Sequence, residues 1–240
     1  MMSDPTARSD YRQGDLSNGF APETISTIKM GMRLLPIAAV LFASAVSLFA
    51  AGEITPEGKR LVSLLDSMHV EEHWIAGAIV DWRTGDPTGQ RLKEGDTGKH
   101  THCSQFTAAA CEKLGIYILR PPEHGAVLLA NAQYDWLPGE GKSQGWTPVA
   151  DGVAAQDLAN RGQVVVAVYK SGDPKKSGHI AIVRPGSKTP AQIAAEGPDV
   201  IQAGGTNFSS ASMKRGFANH PEAFPKGEIK FYAHTVEAGH

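Results

Sequence analysis

The chain carries two kinds of hydrophobic pattern, a helical one in its first part and a strand-like one towards its end. Thr55-Pro56 is a favourable helix start, and apolar residues follow it at helical spacing, which predicts a helix over residues 56–73. The Ala-rich stretch from Cys103 to Leu114 ends before Gly115 and predicts a second helix. Shorter helices are predicted over residues 127–136 and 153–159, and a loop over residues 81–100.

Strand signals are concentrated in the last third of the chain. Residues 164–169 and 179–183 are two β-branched or aliphatic runs separated by a Ser-Gly-Asp-Pro turn, which predicts adjacent antiparallel strands. Residues 200–203 and 229–233 predict two more short strands. Because the helices come first and the sheet follows, the pattern predicts an α+β fold.

The amino-terminal residues form an export signal rather than part of the fold. Lys29 and Arg33 precede an uncharged run over residues 34–51, in which Ala43-Ser44-Ala45 fits a cleavage site. Cleavage after Ala50 or Ala51 and retention as an anchor are the alternatives, although the run is slightly short of the roughly 20 residues that a spanning helix needs. We therefore predict an N-terminal extension and signal peptide (or anchor) over residues 1–51 and one domain over residues 52–240. The mature protein is expected to be periplasmic or extracellular, without a stable membrane span.

Composition narrows the possible functions. The 240 residues, 41% hydrophobic and 20% charged, are typical of one globular domain. A formal net charge of -2 without a Lys/Arg run argues against nucleic-acid binding. The two cysteines, Cys103 and Cys111, lie on one predicted helix, where eight residues span roughly 12 Å, too far for a disulfide.

The residues that carry chemistry are a cysteine and a histidine in separate elements. Cys103 begins its predicted helix, where unpaired amide groups and the helix dipole stabilise a thiolate. His179 begins a predicted strand and shares one face of it with Ala181 and Val183, so its ring is expected to face a helix packed on the sheet. A third polar group should orient the ring, and the candidates are Gln202 first and Asn207 second.

Three segments with these residues resemble the NlpC-type cell-wall peptidases. His102-Cys103-Ser104-Gln105-Phe106 is similar to that family's Asp-Cys-Ser-Gly-Phe nucleophile segment, with His102 in place of Asp and Gln105 in place of Gly. The segment from Gly178 to Val183 is similar to its Gly-His-Val-Gly-Ile-Tyr strand, and Val200-Ile201-Gln202-Ala203 resembles the strand that carries its third catalytic residue. Order and spacing agree over residues 95–235.

The resemblance implies a papain-like fold, in which the nucleophile helix packs on a small antiparallel sheet. It also implies a cysteine hydrolase without a cofactor, expected to be monomeric, that cleaves peptide or amide bonds in peptidoglycan stem peptides. Cys103, His179 and Gln202 would be catalytic, and His102, Ser104 and Asn207 are candidate substrate-binding residues. The related CHAP amidases share the Cys and Gly-His pattern, so endopeptidase and amidase activities both stay open.

Two other functions are compatible with parts of the sequence. The segment His69-Val70-Glu71-Glu72-His73 matches the His-x-x-Glu-His pattern of zinc peptidases and lies on the predicted first helix. Such enzymes need a further acidic ligand on a later helix, whereas the region of Glu140 is predicted to be a glycine-rich loop, so no metal site is predicted. The other alternative is a non-catalytic module that binds the cell wall on the same scaffold.

Overall fold

The computed structural model describes residues 52–96 and 98–237. The predicted export segment, residues 1–51, lies outside the described residues. Within the part that is described, no helix has the length and apolar character needed to cross a membrane.

The described residues form an α+β fold with six helices, a 3-10 helix and six strands. The helices are α1 (Pro56–Asp66), α2 (Cys103–Lys113), α3 (Leu129–Trp136), α4 (Gly152–Asn160), α5 (Pro190–Glu196) and α6 (Met213–Gly216), with the 3-10 helix at Glu140–Gln144. The strands are β1 (Thr147–Val149), β2 (Val164–Tyr169), β3 (His179–Val183), β4 (Asp199–Gln202), β5 (Phe208–Ser212) and β6 (Lys230–His234).

The strands form one antiparallel sheet in the order β1-β6-β2-β3-β4-β5. The predicted pairing of residues 164–169 with 179–183 is confirmed, with Tyr169 opposite His179 and Ala167 opposite Ala181. Strand β4 follows on the other side of β3 and pairs Ile201 with Ile182. The start of β3 and the end of β4 therefore lie at the same end of the sheet.

The sheet has a separate apolar core on each face. Ile180 and Ile182 pack into the core that contains Cys103 and Phe106 of α2. Ala181 and Val183, which point the other way, pack into the core that contains helix residues of α4 and α6. This alternation is the two-residue period of a strand buried on both faces.

The first helix is shorter than the sequence predicts. It ends at Asp66 rather than at residue 73, and His69 and Trp74 adopt left-handed backbone conformations with φ of 47° and 51°. Trp74 is buried, stacks edge-on against Phe106 at 5.3 Å between ring centroids, and donates from Nε1 to the carbonyl of Trp82. The chain turns after α1 so that this indole is buried. Residues 67–73 therefore do not continue the helix, although their apolar residues have helical spacing.

Several short elements were not predicted. Helix α5 begins with Thr189-Pro190 and has a capping box to Gln192, the same kind of start signal that predicted α1. Strand β5 is a polar Phe-Ser-Ser-Ala-Ser segment whose pairing with β4 has a register shift near Gln202. Without an apolar run, its sequence carries no strand signal.

Candidate active site

Cys103 is the first residue of α2, as predicted, and its thiol is buried. The preceding residue, His102, makes no side-chain capping bond, whereas Thr55 and Asp151 cap the first turns of α1 and α4. The first-turn amides of α2 are therefore not occupied by a side-chain cap. Burial raises the pKa of the Cys103 thiol, and the backbone N–H groups of Ile180, Ser104 and Cys103 itself act in the opposite direction.

His179 is the first residue of β3, and its ring is held by Gln202 at the end of β4. The ring Nε2 is hydrogen-bonded to Oε1 of Gln202, whose own Nε2 donates to the carbonyl of Thr206 at 3.2 Å. Because the amide nitrogen of Gln202 is already used, its oxygen faces the ring and Nε2 of His179 carries the proton. The other ring nitrogen, Nδ1, is then an acceptor. Burial lowers the pKa of His179 to about 4, so the ring is neutral at neutral pH.

The Cys103 thiol lies near the start of β3, whereas the His179 ring packs on the opposite face of the sheet from α2. The Cys103 thiol lies against the backbone N–H of Ile180, the residue that follows His179. The His179 ring packs edge-on against Phe217 at 4.7 Å between centroids, and Phe217 belongs to the core that contains Ala181 and Val183. The helix on the face of His179 is therefore not the nucleophile helix. No hydrogen bond joins the thiol to the ring among the described residues, and catalytic bonds of this kind commonly tighten only when substrate binds.

His179 lines a cleft of about 750 Å³. One wall is the loop before α2, which contributes His102, and Gln105 lines the cleft from the first turn of α2. A second wall is the turn before β3, and a third is the segment that contains His220. The His102 ring Nδ1 lies 2.6 Å from Oε1 of Gln105, which leaves the amide nitrogen of Gln105 outside that bond.

The three predicted substrate-binding residues lie in different places. His102 lines the cleft, whereas Ser104 is buried and is not among the lining residues. The Asn207 amide donates to the carbonyls of Val70 and His73 at 2.7 and 2.8 Å and accepts from the N–H of Gly204. Asn207 therefore holds the turn that follows α1, and Gln202 is the candidate that reaches the imidazole.

Three residues that the sequence did not single out shape the site. Asn131 on α3 is buried, accepts from the N–H of Gly178 at 2.8 Å and donates to the carbonyl of Lys176 at 3.0 Å, so it ties down the turn before His179. Gly216 leaves room for Gln202, since a Cβ there would stand 3.2 Å from its Oε1. The third is the half-buried His220, whose ring centroid lies 6.2 Å from that of His179. None lies in a recognisable motif, because each acts through contacts distant in sequence.

The predicted helical arrangement of His69 and His73 is wrong. Both residues follow the end of α1, and the left-handed backbone of His69 breaks the helical spacing on which the zinc motif depends. Nδ1 of His73 lies 2.8 Å from Oδ1 of Asp86. In residues 52–96 and 98–237, no group of three His, Cys, Asp or Glu side chains could hold a metal ion.

Comparison with known proteins adds no family assignment. The chain matches no protein-family model and no curated protein sequence.

Proposed function

We propose that this protein is a papain-like cysteine hydrolase of the NlpC and CHAP type that cleaves a peptide or amide bond in peptidoglycan. The observation that carries the proposal is the position of the Cys103 thiol, at the start of α2 and against the backbone of Ile180, the residue that follows the histidine held by Gln202. Nucleophile, base and orienting group come from three separate elements at one end of the sheet. The resemblance of the same three segments to the cell-wall peptidases supports the substrate class.

In the proposed reaction, His179 removes the proton from Cys103 while the sulfur attacks the carbonyl carbon of the scissile bond. The resulting imidazolium protonates the leaving amine, which leaves an acyl group on the sulfur as a thioester. His179 then takes a proton from water while the water oxygen attacks the thioester carbonyl. The carbon–sulfur bond breaks, the imidazolium returns its proton to the sulfur, and a free carboxylic acid is released.

The resting pair is neutral in this mechanism. Burial disfavours both the thiolate of Cys103 and the imidazolium of His179, so proton transfer accompanies attack instead of preceding it. The developing oxyanion would accept hydrogen bonds from the uncapped first-turn amides of α2, starting with the N–H of Cys103. Gln202 would stabilise the transient imidazolium through its carbonyl oxygen.

A non-catalytic module that binds the cell wall is the second candidate. Cys103 is only 3% exposed and its thiol makes no hydrogen bond to the imidazole among the described residues, which is compatible with a scaffold that binds without cutting. In either case we propose that the protein acts outside the cytoplasm, because the sequence predicts an export signal ahead of the domain. We also propose that it acts as a monomer.

The two candidates are separated by incubating the full chain with purified peptidoglycan and identifying released fragments by mass spectrometry. Cys103→Ala removes the proposed nucleophile, and Cys111→Ala is the matched control, because Cys111 is a second free, buried cysteine on the same helix. Burial raises the pKa of Cys111 to about 12, so it should not act as a nucleophile. A further sample contains a metal chelator.

New fragments from the wild type and from Cys111→Ala, absent with Cys103→Ala and unaffected by the chelator, are the expected result. Their masses identify the bond that is cut. Binding without fragments would favour the non-catalytic module. Products that persist in Cys103→Ala and disappear with the chelator would instead favour metal-dependent hydrolysis.

A further inference from the structure

The first turn of α2 presents a side-chain amide to the cleft that His179 lines. Gln105 is the third residue of α2 and also lines this cleft, although it is only 9% exposed. Its Oε1 lies 2.6 Å from Nδ1 of His102, the residue that precedes the helix. The side chain therefore folds back over the start of the helix, as the third residue of a capping box does, and its amide lies beside the first-turn N–H groups.

The bond between the two side chains determines which end of the Gln105 amide is free. Burial lowers the pKa of His102 and outweighs the opposing effect of the hydrogen bond with Gln105, so the ring is neutral at neutral pH. A neutral ring carries one proton, and Nδ1 carries it here because Oε1 of Gln105 can only accept. Nε2 of His102 is buried and has no hydrogen-bond partner among the described residues. The amide nitrogen of Gln105 takes no part in the bond to His102, so it can donate to a ligand in the cleft.

This amide is a feature of the present chain rather than of the family that it resembles. The nucleophile segment of the NlpC-type peptidases has glycine where this chain has Gln105, and glycine offers no side-chain donor. The difference adds a donor to the helix start whose first-turn amides have no side-chain cap. A donor that is already oriented stabilises developing negative charge without reorganising during the reaction.

We propose that Gln105 is a catalytic residue whose side-chain amide donates a second hydrogen bond to the oxyanion, next to the N–H of Cys103, and that His102 positions it. This inference rests on the proposed function. When the Cys103 sulfur bonds to the carbonyl carbon, the π-electron pair of the C=O bond moves to the oxygen, and Gln105 binds this negative oxygen. The pair returns when the carbonyl re-forms and the leaving group departs. Gln105 neither gains nor loses a proton, and His102 acts only as a positioning residue.

The test compares two reactions of the Cys103 thiol in the full-length protein, only one of which forms an oxyanion. p-Nitrophenyl acetate acetylates the sulfur through a tetrahedral oxyanion and releases p-nitrophenolate, whereas iodoacetamide alkylates the sulfur by direct displacement of iodide. In both reactions the thiol proton passes to His179 and then to solvent, and mass spectrometry of the digested protein identifies Cys103 as the modified residue. In Gln105→Met we expect acetylation to slow about 10- to 100-fold and alkylation to change less than about twofold.

Gln192→Met is the matched control. Gln192 is the third residue of α5, its Oε1 accepts from the N–H of Thr189 at 2.8 Å, and it does not line the cleft. This variant should keep both wild-type rates. His102→Phe should slow acetylation about 2- to 10-fold, and the double variant should be no slower than Gln105→Met alone, because His102 acts through Gln105.

Unchanged acetylation in Gln105→Met, equal slowing of both reactions, or a wild type whose Cys103 is not acetylated would each overturn the inference. An effect of His102→Phe that adds to that of Gln105→Met would overturn the positioning role. Fragment release from peptidoglycan is a separate measurement. If Gln105→Met slows acetylation selectively but the wild type releases no fragments, the oxyanion donor stands and the proposed substrate fails. If the wild type releases fragments through Cys103 while Gln105→Met acetylates normally, the proposed function stands and the donor role fails.

Discussion

The buried imidazole of His179 should make the folded protein unstable in mild acid. Its pKa is lowered to about 4 by burial, from 6.5 in an exposed state. Between these values the unfolded chain binds a proton on this residue and the folded chain does not, so stability falls as the pH falls. The full loss below pH 4 is about 3 kcal/mol, and about 2 kcal/mol of it should appear between pH 7.5 and pH 5.

The measurement is urea unfolding of the full chain at these two pH values, followed by tryptophan fluorescence, for the wild type and for His179→Gln. A neutral glutamine cannot gain the proton, so the variant should lose about 2 kcal/mol less between pH 7.5 and pH 5 than the wild type loses. His124→Gln, at a partly exposed histidine that does not line the cleft, is the matched control. Equal losses for the wild type and His179→Gln would refute the argument, since the ring would then be accessible to protons in the folded state.

The contacts around the imidazole lead to three further predictions. Gln202→Ala should lower kcat about 10- to 100-fold in a fragment-release assay and change KM little, because the ring loses the group that orients it. Gly216→Ala should destabilise the fold by about 1–3 kcal/mol and lower kcat, because the new Cβ would stand 2.9 Å from Val200 and would also crowd Gln202. The change in stability is measured by thermal unfolding. Gly172→Ala is the control, because a Cβ at Gly172 meets nothing within 4 Å. Asn131→Ala should cost about 1–3 kcal/mol by leaving the N–H of Gly178 without its partner, and hydrogen exchange should rise in the turn before β3.

These three predictions fail in different ways. Unchanged kcat in Gln202→Ala would show that another group orients the ring. Equal unfolding temperatures for the Gly216 and Gly172 variants would show that β4 yields to the added methyl group. If amide hydrogen exchange in the turn before β3 stays at the wild-type rate in Asn131→Ala, the backbone of the turn itself holds it in place.

Local sequence patterns predicted the elements whose signals are strong. These signals act within a few neighbouring residues, so the elements can be predicted without tertiary information. Aliphatic runs predict β2 and β3, an Ala-rich stretch before glycine predicts α2, and a Thr-Pro pair predicts the start of α1. The same holds for the nature of the site, because a cysteine at a helix start and a histidine at a strand start are local features. Gln202 could also be identified from the sequence, because it is the only strongly polar side chain in the strand predicted over residues 200–203.

Tertiary structure decided where α1 ends and which partners complete the site. Trp74 packs against Phe106, which lies 32 positions further along the chain. Asn207 binds the turn that follows α1 from more than 100 positions away. No local sequence pattern encodes contacts over such separations. The same is true of Asn131 and Gly216, whose roles are a hydrogen bond and a space next to residues of other elements.

The sequence by itself determined that a thiol and an imidazole lie at the starts of two regular elements, because helix and strand starts are encoded by adjacent residues. It also predicted that His179 shares a strand face with Ala181 and Val183. Only the tertiary structure decided that this face packs on α4 and α6 while α2 packs on the other, with the Cys103 thiol against the backbone of Ile180. Side chains alternate along a strand in the same way whichever helix covers each face of the sheet. Which helix covers which face depends on how helices distant in sequence fill the two apolar cores.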